Sequence, residues 1–542
     1  MKLVAYVSDE RFVALCDVAA EFERDGRTVA VARSTPRGGI YADLEPGPYR
    51  LTLAKPGYGA KVVELELGAG EPPQLRLLAD RLLGYMWPRW VRSGERAEFR
   101  VHAVAPYRLS LWRYGLEQEH VRLLGWFDDH GPLATMQVTP DGDYTRSGVQ
   151  WNRRGYGGSP HHTQLAEAPA RPGLYYLHAE SESGEFFAFP WVVAPAAPAA
   201  PVAVLASTNT WNAYNSFGGR SNYINAAGLP AAPVVNARLE LPRYTDGAFS
   251  EWGAAPDEEF PPLSFERPEP GNHVPRGARP TDPIAGRLAS SLAPAEWRLL
   301  AWLEREDQPY DYYAEAQLHD GALDLDAYRV LILSVHPEYW TRRMFERVRD
   351  WADRGGRLMY LGGNGLNCEV ELPTPATMRC KTHLRAEGGG LGMRDPARPD
   401  VYYESRFHRT VAPEASLLGV VTSETGIMTG APYRALRADH WAFAGTGLRD
   451  GDSFGAASLH ERCGGGASGH ETDKLSPHAP PGALVLAKGL NPDEGGAEIV
   501  YHERPGGGAV FSVGSITYVA SLLVDEAISR VTLNVLRRFL AQ

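Results

Sequence analysis

His336 and Glu338 stand two residues apart, and Asn364 follows 26 residues later in Gly362-Gly-Asn-Gly365. An imidazole and a carboxylate aimed together into a crevice suit a metal or a general base. Pro337 restrains His336 toward an extended backbone, in which residues 336 and 338 point to the same side. A plainer alternative has Glu338 capping the next helix and His336 packed beneath the loop.

The surrounding elements decide whether these groups can meet. The apolar run over 330–333 suits a buried parallel strand. From 341 to 354, Met344, Phe345, Val348, Trp351 and Ala352 recur at helical spacing on one face. Gly355-Gly356 falls where a left-handed C-cap is expected, and 357–361 begins the next strand. This is a β-α-β unit whose two strand exits carry His336, Glu338 and Asn364, and open α/β sheets place their ligands at that rim. A third exit follows the strand 202–206, where polar and aromatic residues crowd 207–223. Tyr214 can face the same rim from there, or it can simply fill core volume.

The remaining chain sets limits. Its 542 residues exceed what a single core organises, so several domains are expected. A net charge of −11 without any long basic run argues against nucleic acid as a partner. The four cysteines, Cys16, Cys368, Cys380 and Cys463, form no CxxC pair, which argues against zinc ribbons and a disulfide scaffold. No apolar run approaches a membrane span, and residues 1–10 turn acidic too early for a secretory segment. A reducing cytoplasm is the expected compartment.

Residues 1–80 alternate like short strands and resemble the transthyretin-like or carboxypeptidase-regulatory β-sandwiches. Residues 81–195 resemble an immunoglobulin-like sandwich without its cysteine pair. His161-His162 lies in a Gly/Pro loop there, a setting in which adjacent histidines are more often exposed than ligands. The Pro/Ala stretch 194–201 is a stiff linker. Beyond it, 202–542 reads as a flavodoxin-like α/β domain with helices over 295–305 and 525–540 and late strands over 483–487, 498–501 and 509–513. The long Gly-rich excursions 215–290 and 385–480 are expected to form a site or a partner surface.

Five blocks then carry a resemblance: Thr210-Trp-Asn-Ala-Tyr-Asn-Ser-Phe-Gly-Gly-Arg-Ser-Asn-Tyr223, His336-Pro-Glu-Tyr-Trp340, Gly356-Arg-Leu-Met-Tyr-Leu-Gly-Gly-Asn-Gly365, Gly469-His-Glu-Thr-Asp473 before Pro481-Gly-Ala-Leu-Val-Leu486, and Gly508-Ala-Val-Phe-Ser-Val-Gly-Ser515. Together they resemble the large (beta) subunit of N,N-dimethylformamidase over roughly 200–542. That resemblance implies an amidohydrolase with a mononuclear Fe(III) site held by two tyrosines and one glutamate. By block position Tyr214 and Glu338 match two ligands. Tyr244, in Arg243-Tyr-Thr-Asp-Gly247, is the leading candidate for the second tyrosine, with Tyr223 the fallback. The resemblance makes His336 a proton-transfer neighbour, Asn364 a substrate- or water-orienting group, Glu471 the acid/base carboxylate and Phe511 a pocket wall. It also implies a small-molecule amide substrate, a homo-oligomer and a separate small subunit.

Two competing readings remain. Class I glutamine amidotransferase-like enzymes share the α/β architecture, but they place a nucleophilic cysteine on a sharp strand-to-helix turn. Here that turn holds Gly-Gly-Asn-Gly, and Cys368 comes later. The other reading is a non-catalytic oligomerisation or binding protein with a degenerate amidotransferase-like domain, which the two sandwiches favour. The set Tyr214, His336, Glu338, Asn364 and Glu471 disfavours it.

Overall fold

The computed structural model describes the chain except residues 69, 128–139, 150, 152–163, 227, 236–259, 285–290, 382–392, 396–397, 404–406, 424–427, 493 and 542; for 393–395, 398–403 and 409 it describes the backbone alone. His161, His162 and Tyr244 lie outside the described residues.

Alternating apolar residues build the first two regions, because successive strand side chains face opposite sides. Lys2–Ser8, Gly39–Ala42 and Gln74–Arg76 form one sheet. Ala19–Arg24, Arg27–Arg33, Gly47–Lys55 and Tyr58–Leu67 form another. Val7, Phe22, Ile40, Leu51 and Leu53 are buried together within them. A three-stranded sheet containing Arg96–His102 and a five-stranded sheet containing Tyr107–Tyr114 and Gly173–Ser181 come next. Their inward side chains, among them Phe99, Leu109, Leu177 and Trp191, form a separate core. This second region docks on the one beyond the linker through Trp297, whose indole N–H donates to the Gly115 carbonyl at 2.7 Å, and through a buried Arg89–Glu269 ion pair at 2.8 Å.

After the linker, nine strands make one sheet. Its parallel half runs, across the sheet, Asp311–Ala314, Val202–Ala206, Val330–Val335, Arg357–Gly362 and Ala509–Ser512. In chain order that is 2-1-3-4-5. Glu498–Glu503, Leu484–Gly489, Tyr433–Ala435 and Ser453–Phe454 extend it antiparallel.

Continuous apolar strands are what a sheet covered on both faces requires. Val204, Ala206, Ile332, Met359 and Phe511 pack on one face, against Trp297 and Trp302 of helix Ala293–Arg305 and Val531 and Leu536 of helix Glu526–Ala541. Leu205, Leu331, Leu333, Leu358 and Val510 pack on the other, against Met344, Phe345, Val348 and Trp351 of helix Arg342–Asp353.

That last helix ends as its glycines require. Gly355 (φ +114°) donates to Ala352 at 3.2 Å and Gly356 to Trp351 at 3.0 Å, the paired bonds of a Schellman cap. Its N-cap is Thr341, whose hydroxyl accepts from the Met344 N–H at 3.2 Å, so Glu338 is not used as the cap. Among the described residues no helix is long and apolar enough to cross a membrane.

Candidate active site

The first strand exit leads straight into the short helix Thr208–Tyr214. Two fully buried carboxylates hold its start. Glu296 accepts from the Ser207 N–H at 3.1 Å and the Trp211 indole at 2.8 Å, and Glu315 accepts from the Asn209 N–H at 2.7 Å. Negative charge is favourable at that end of a helix. Even so, burial pushes Glu296 up to about 7 despite the Tyr312, Ser207 and Trp211 donors.

The chain then folds back, with Asn222 N–H donating to the Ala213 carbonyl at 3.0 Å. Arg267 staples this return, reaching the Phe217 carbonyl at 2.6 Å and Asn212 Oδ1 at 3.0 Å. Gly218 (φ +103°) and Gly219 (φ +90°) supply the left-handed steps. Tyr223 therefore returns beside Tyr214, with ring centroids 4.4 Å apart.

The second exit turns sharply. Val335 has φ +51°, an outlier for a β-branched residue. Around it His336 N–H donates to the Ser334 carbonyl at 2.6 Å, and around Pro337 the Glu338 N–H donates to the His336 carbonyl at 2.9 Å. Two successive three-residue turns thus bring 336 and 338 to one side, where an extended backbone was expected to do so. The Thr210 hydroxyl ties this loop to the tyrosine helix, donating to the His336 carbonyl at 2.7 Å and accepting from the Glu338 N–H at 3.1 Å.

The third exit presents Asn364 at φ +49°. Its side-chain amide donates to Glu471 Oε2 at 2.6 Å. Gly363 is required beside it, because a Cβ there would lie 2.5 Å from the Glu471 carbonyl oxygen and 2.8 Å from Ile516 N.

The three exits converge on one cluster. Tyr214 donates to Glu338 Oε2 at 3.1 Å, and Tyr223 lies 3.0 and 2.9 Å from Glu338 Oε1 and Oε2 and 3.0 Å from Tyr214 Oη. The Tyr339 hydroxyl donates to Tyr223 Oη at 2.7 Å. His336 Nε2 stands 3.3 Å from both Glu338 Oε2 and Glu471 Oε2.

Burial and the Glu338 charge push the Tyr214 and Tyr223 phenols well above their ordinary value. Burial opposes charge on His336, but the Glu471 and Glu338 carboxylates outweigh it and raise its pKa. Burial alone would raise Glu471; the adjoining His336 instead brings it down to about 2. The phenols are thus held neutral by shared protons; once deprotonated, their oxygens and the Glu338 carboxylate would make a set of hard oxygen donors. Among the described residues no group of three or more His, Cys, Asp or Glu side chains is arranged to hold a metal ion; the extra oxygens here come from phenols.

Of the residues singled out in the sequence, Tyr214, His336, Glu338, Asn364 and Glu471 meet in this cluster. Tyr223 joins them, while Tyr244 falls outside the described residues. Phe511 is buried in the sheet core, in register with Met359 and Tyr501. Cys368 is buried at the start of strand Cys368–Thr374, in register with Tyr339, and not at a strand-to-helix turn. Tyr339 and Asp473 did not stand out in the sequence. Each lies in one of the blocks that carry the resemblance above, next to or two residues from a site carboxylate, and that adjacency was the available signal.

Comparisons with known proteins bear on the family. Two curated relatives, the N,N-dimethylformamidase beta subunits of Alcaligenes sp and Paracoccus aminophilus, are each 29% identical over 288 and 290 residues. Each match takes in 46% of this chain, and the chain spans about 37% of the length of either relative. Among solved structures, a β-galactosidase from Bacillus circulans overlaps 45% of this chain and 26% of its own at 14% identity, with a TM-score of 0.27, too slight to carry any argument. A family model described as N,N-dimethylformamidase beta subunit-like, C-terminal, matches residues 124–529. With most of its length under that match, the chain belongs to the N,N-dimethylformamidase beta subunit-like family.

Proposed function

We propose that this protein is a metal-dependent amidohydrolase that cleaves the C–N bond of a small amide, using one ferric ion held by two tyrosines and a glutamate. One observation carries the reading: the Tyr214, Tyr223 and Glu338 oxygens lie within 3.1 Å of one another beside a histidine shared with a second carboxylate. We further read the domain beyond residue 202 as flavodoxin-like, since the order 2-1-3-4-5 is the one such sheets use, and the first two regions as β-sandwiches that serve assembly. The relatives are named as beta subunits, which supports work within a multi-subunit assembly; we propose a homo-oligomer with a separate small subunit.

Tyr214, Glu338 and Tyr223 would hold the ion. The geometry supports Tyr223 as the second phenol, and Tyr244 is the competing assignment. When bound, such an ion polarises an amide carbonyl and acidifies water. The protein supplies the proton transfers. Glu471 is the accessible member, with 18% of its side chain exposed against 1% for His336, so substrate approaches from its side. Held ionised, Glu471 accepts a proton from the attacking water. His336, whose pKa its carboxylate neighbours raise, carries a proton on Nε2 for the departing amine. Asn364 keeps Glu471 aimed at both.

The test uses purified full-length protein with N,N-dimethylformamide as the first probe. Near-stoichiometric iron, a phenolate-to-iron charge-transfer colour and release of dimethylamine are expected. Glu338→Ala and Tyr214→Phe should each lower iron and turnover without unfolding the chain. Comparing Tyr223→Phe with Tyr244→Phe for iron content assigns the second phenol. Colourless, metal-free and inactive protein would leave the non-catalytic binding role.

A further inference from the structure

Behind Glu471 lies a carboxylate that the chemistry above does not use. Asp473 is fully buried on strand Thr472–Leu475, in register with Thr422 on the antiparallel strand Val420–Ser423. It accepts hydrogen bonds from the Asn364 N–H at 2.8 Å and from Tyr360 Oη at 2.7 Å, and its Oδ1 lies 3.0 Å from Thr422 Oγ1, whose one proton it shares with Asn364 Oδ1. Its own N–H donates to the Gly514 carbonyl at 2.8 Å. The Thr422 hydroxyl also lies 2.7 Å from Asn364 Oδ1, which Asn367 Nδ2 contacts as well. Asn364 is thus gripped at its backbone and at its side-chain oxygen, and only its amide nitrogen is directed at Glu471. Asn364 sits at φ +49°, a left-handed conformation that asparagine tolerates better than most residues but does not hold by itself, and the grip fixes it there.

We infer that Asp473 is a positioning residue that locks Asn364 in its left-handed conformation and thereby sets the Glu471 carboxylate against His336. The inference rests on the amidohydrolase reading for its kinetic consequence, but not for its geometry. Of the groups facing the Asp473 oxygens, the Asn364 N–H can only donate, and the Tyr360 hydroxyl donates here. An asparagine of equal size would turn its N–H₂ either toward the Asn364 N–H, donor against donor, or toward Tyr360, whose hydroxyl would then have to reverse and lose its acceptor. Leaving such buried groups facing one another is costly, so the loop would move to relieve it.

Full-length Asp473→Asn is compared with wild type for turnover of N,N-dimethylformamide, iron content and crystal structure. Thr422→Val, which removes one donor and preserves shape, serves as the gentler variant should Asp473→Asn fold poorly. The expected result is a kcat lower by roughly 10- to 100-fold, the range typical of groups that orient a site from outside it, with KM and iron per chain unchanged. The crystal structure should show the Asn364–Glu471 contact opened beyond hydrogen-bonding reach. An unchanged kcat, or an Asn364–Glu471 contact that persists in both variants, overturns the inference. Wild-type protein that hydrolyses no amide would sink the proposed function instead, and the contact in the variant structures would still decide the role of Asp473.

Discussion

Tyr223 Oη lies 2.9 Å from Oε2 and 3.0 Å from Oε1 of Glu338, so a single phenol spans both oxygens of the carboxylate. In that arrangement its proton occupies the place where a cation would be shared. Under the proposed function, loading a ferric ion would therefore displace phenol protons, since a neutral phenol is a poor ligand. We expect about two protons to leave per iron bound. Affinity should then rise roughly a hundredfold for each unit of pH below the phenol pKa values. Calorimetric titration in buffers of different ionisation enthalpy counts the protons directly.

Gly363 packs against backbone on two sides. Alanine there would place a Cβ 2.5 Å from the Glu471 carbonyl oxygen and 2.8 Å from Ile516 N, neither of which is a flexible side-chain end. Overpacking of this kind costs about 1–3 kcal/mol. Gly363→Ala should lower stability by that amount in chemical denaturation, and turnover should fall further than stability, because the displaced carbonyl belongs to Glu471.

Glu296 links stability to pH. Burial lifts its folded-state pKa from 4.5 to about 7. The folded chain thus holds a proton that the unfolded chain has lost. Its contribution is full below pH 4.5, declines as pH rises through that window and stops changing above about 7. The decline amounts to about 3 kcal/mol. Glu296→Gln cannot titrate, so urea denaturation between about pH 5 and 8 should show a flatter stability profile than wild type.

Thr341→Ala serves as the control. Removing the hydroxyl that accepts from Met344 N–H at 3.2 Å should cost about 1 kcal/mol of stability. Iron content and turnover should be unchanged, because Glu338 takes no part in that cap.

The central β-α-β unit was legible because three independent patterns coincide there. The apolar run at 330–333, the helical spacing from Met344 to Ala352 and the paired glycines 355 and 356 became strand Val330–Val335, helix Arg342–Asp353 and its Schellman cap. Parallel exits then put His336, Glu338 and Asn364 on one rim. Tyr223 was harder to place. Its position depends on a return loop stapled by Arg267 from 44 residues downstream, an interaction with no periodicity to betray it. Asp473 was hidden for a related reason: its partners Tyr360, Asn364 and Thr422 come from three separate elements. The route of the 336–338 loop differs from the expected extended one, because a valine with positive φ is something no local rule would choose.

Tyr214 and Glu338 touch across 124 residues, and they meet only because Val202–Ala206 pairs in parallel with Val330–Val335. During synthesis Tyr214 and Tyr223 leave the ribosome before Glu338 does. Until that pairing closes, the proposed metal site lacks its full set of oxygens. Closing so distant a pairing is slow, so under the proposed function metal uptake would come late and would read out completed maturation.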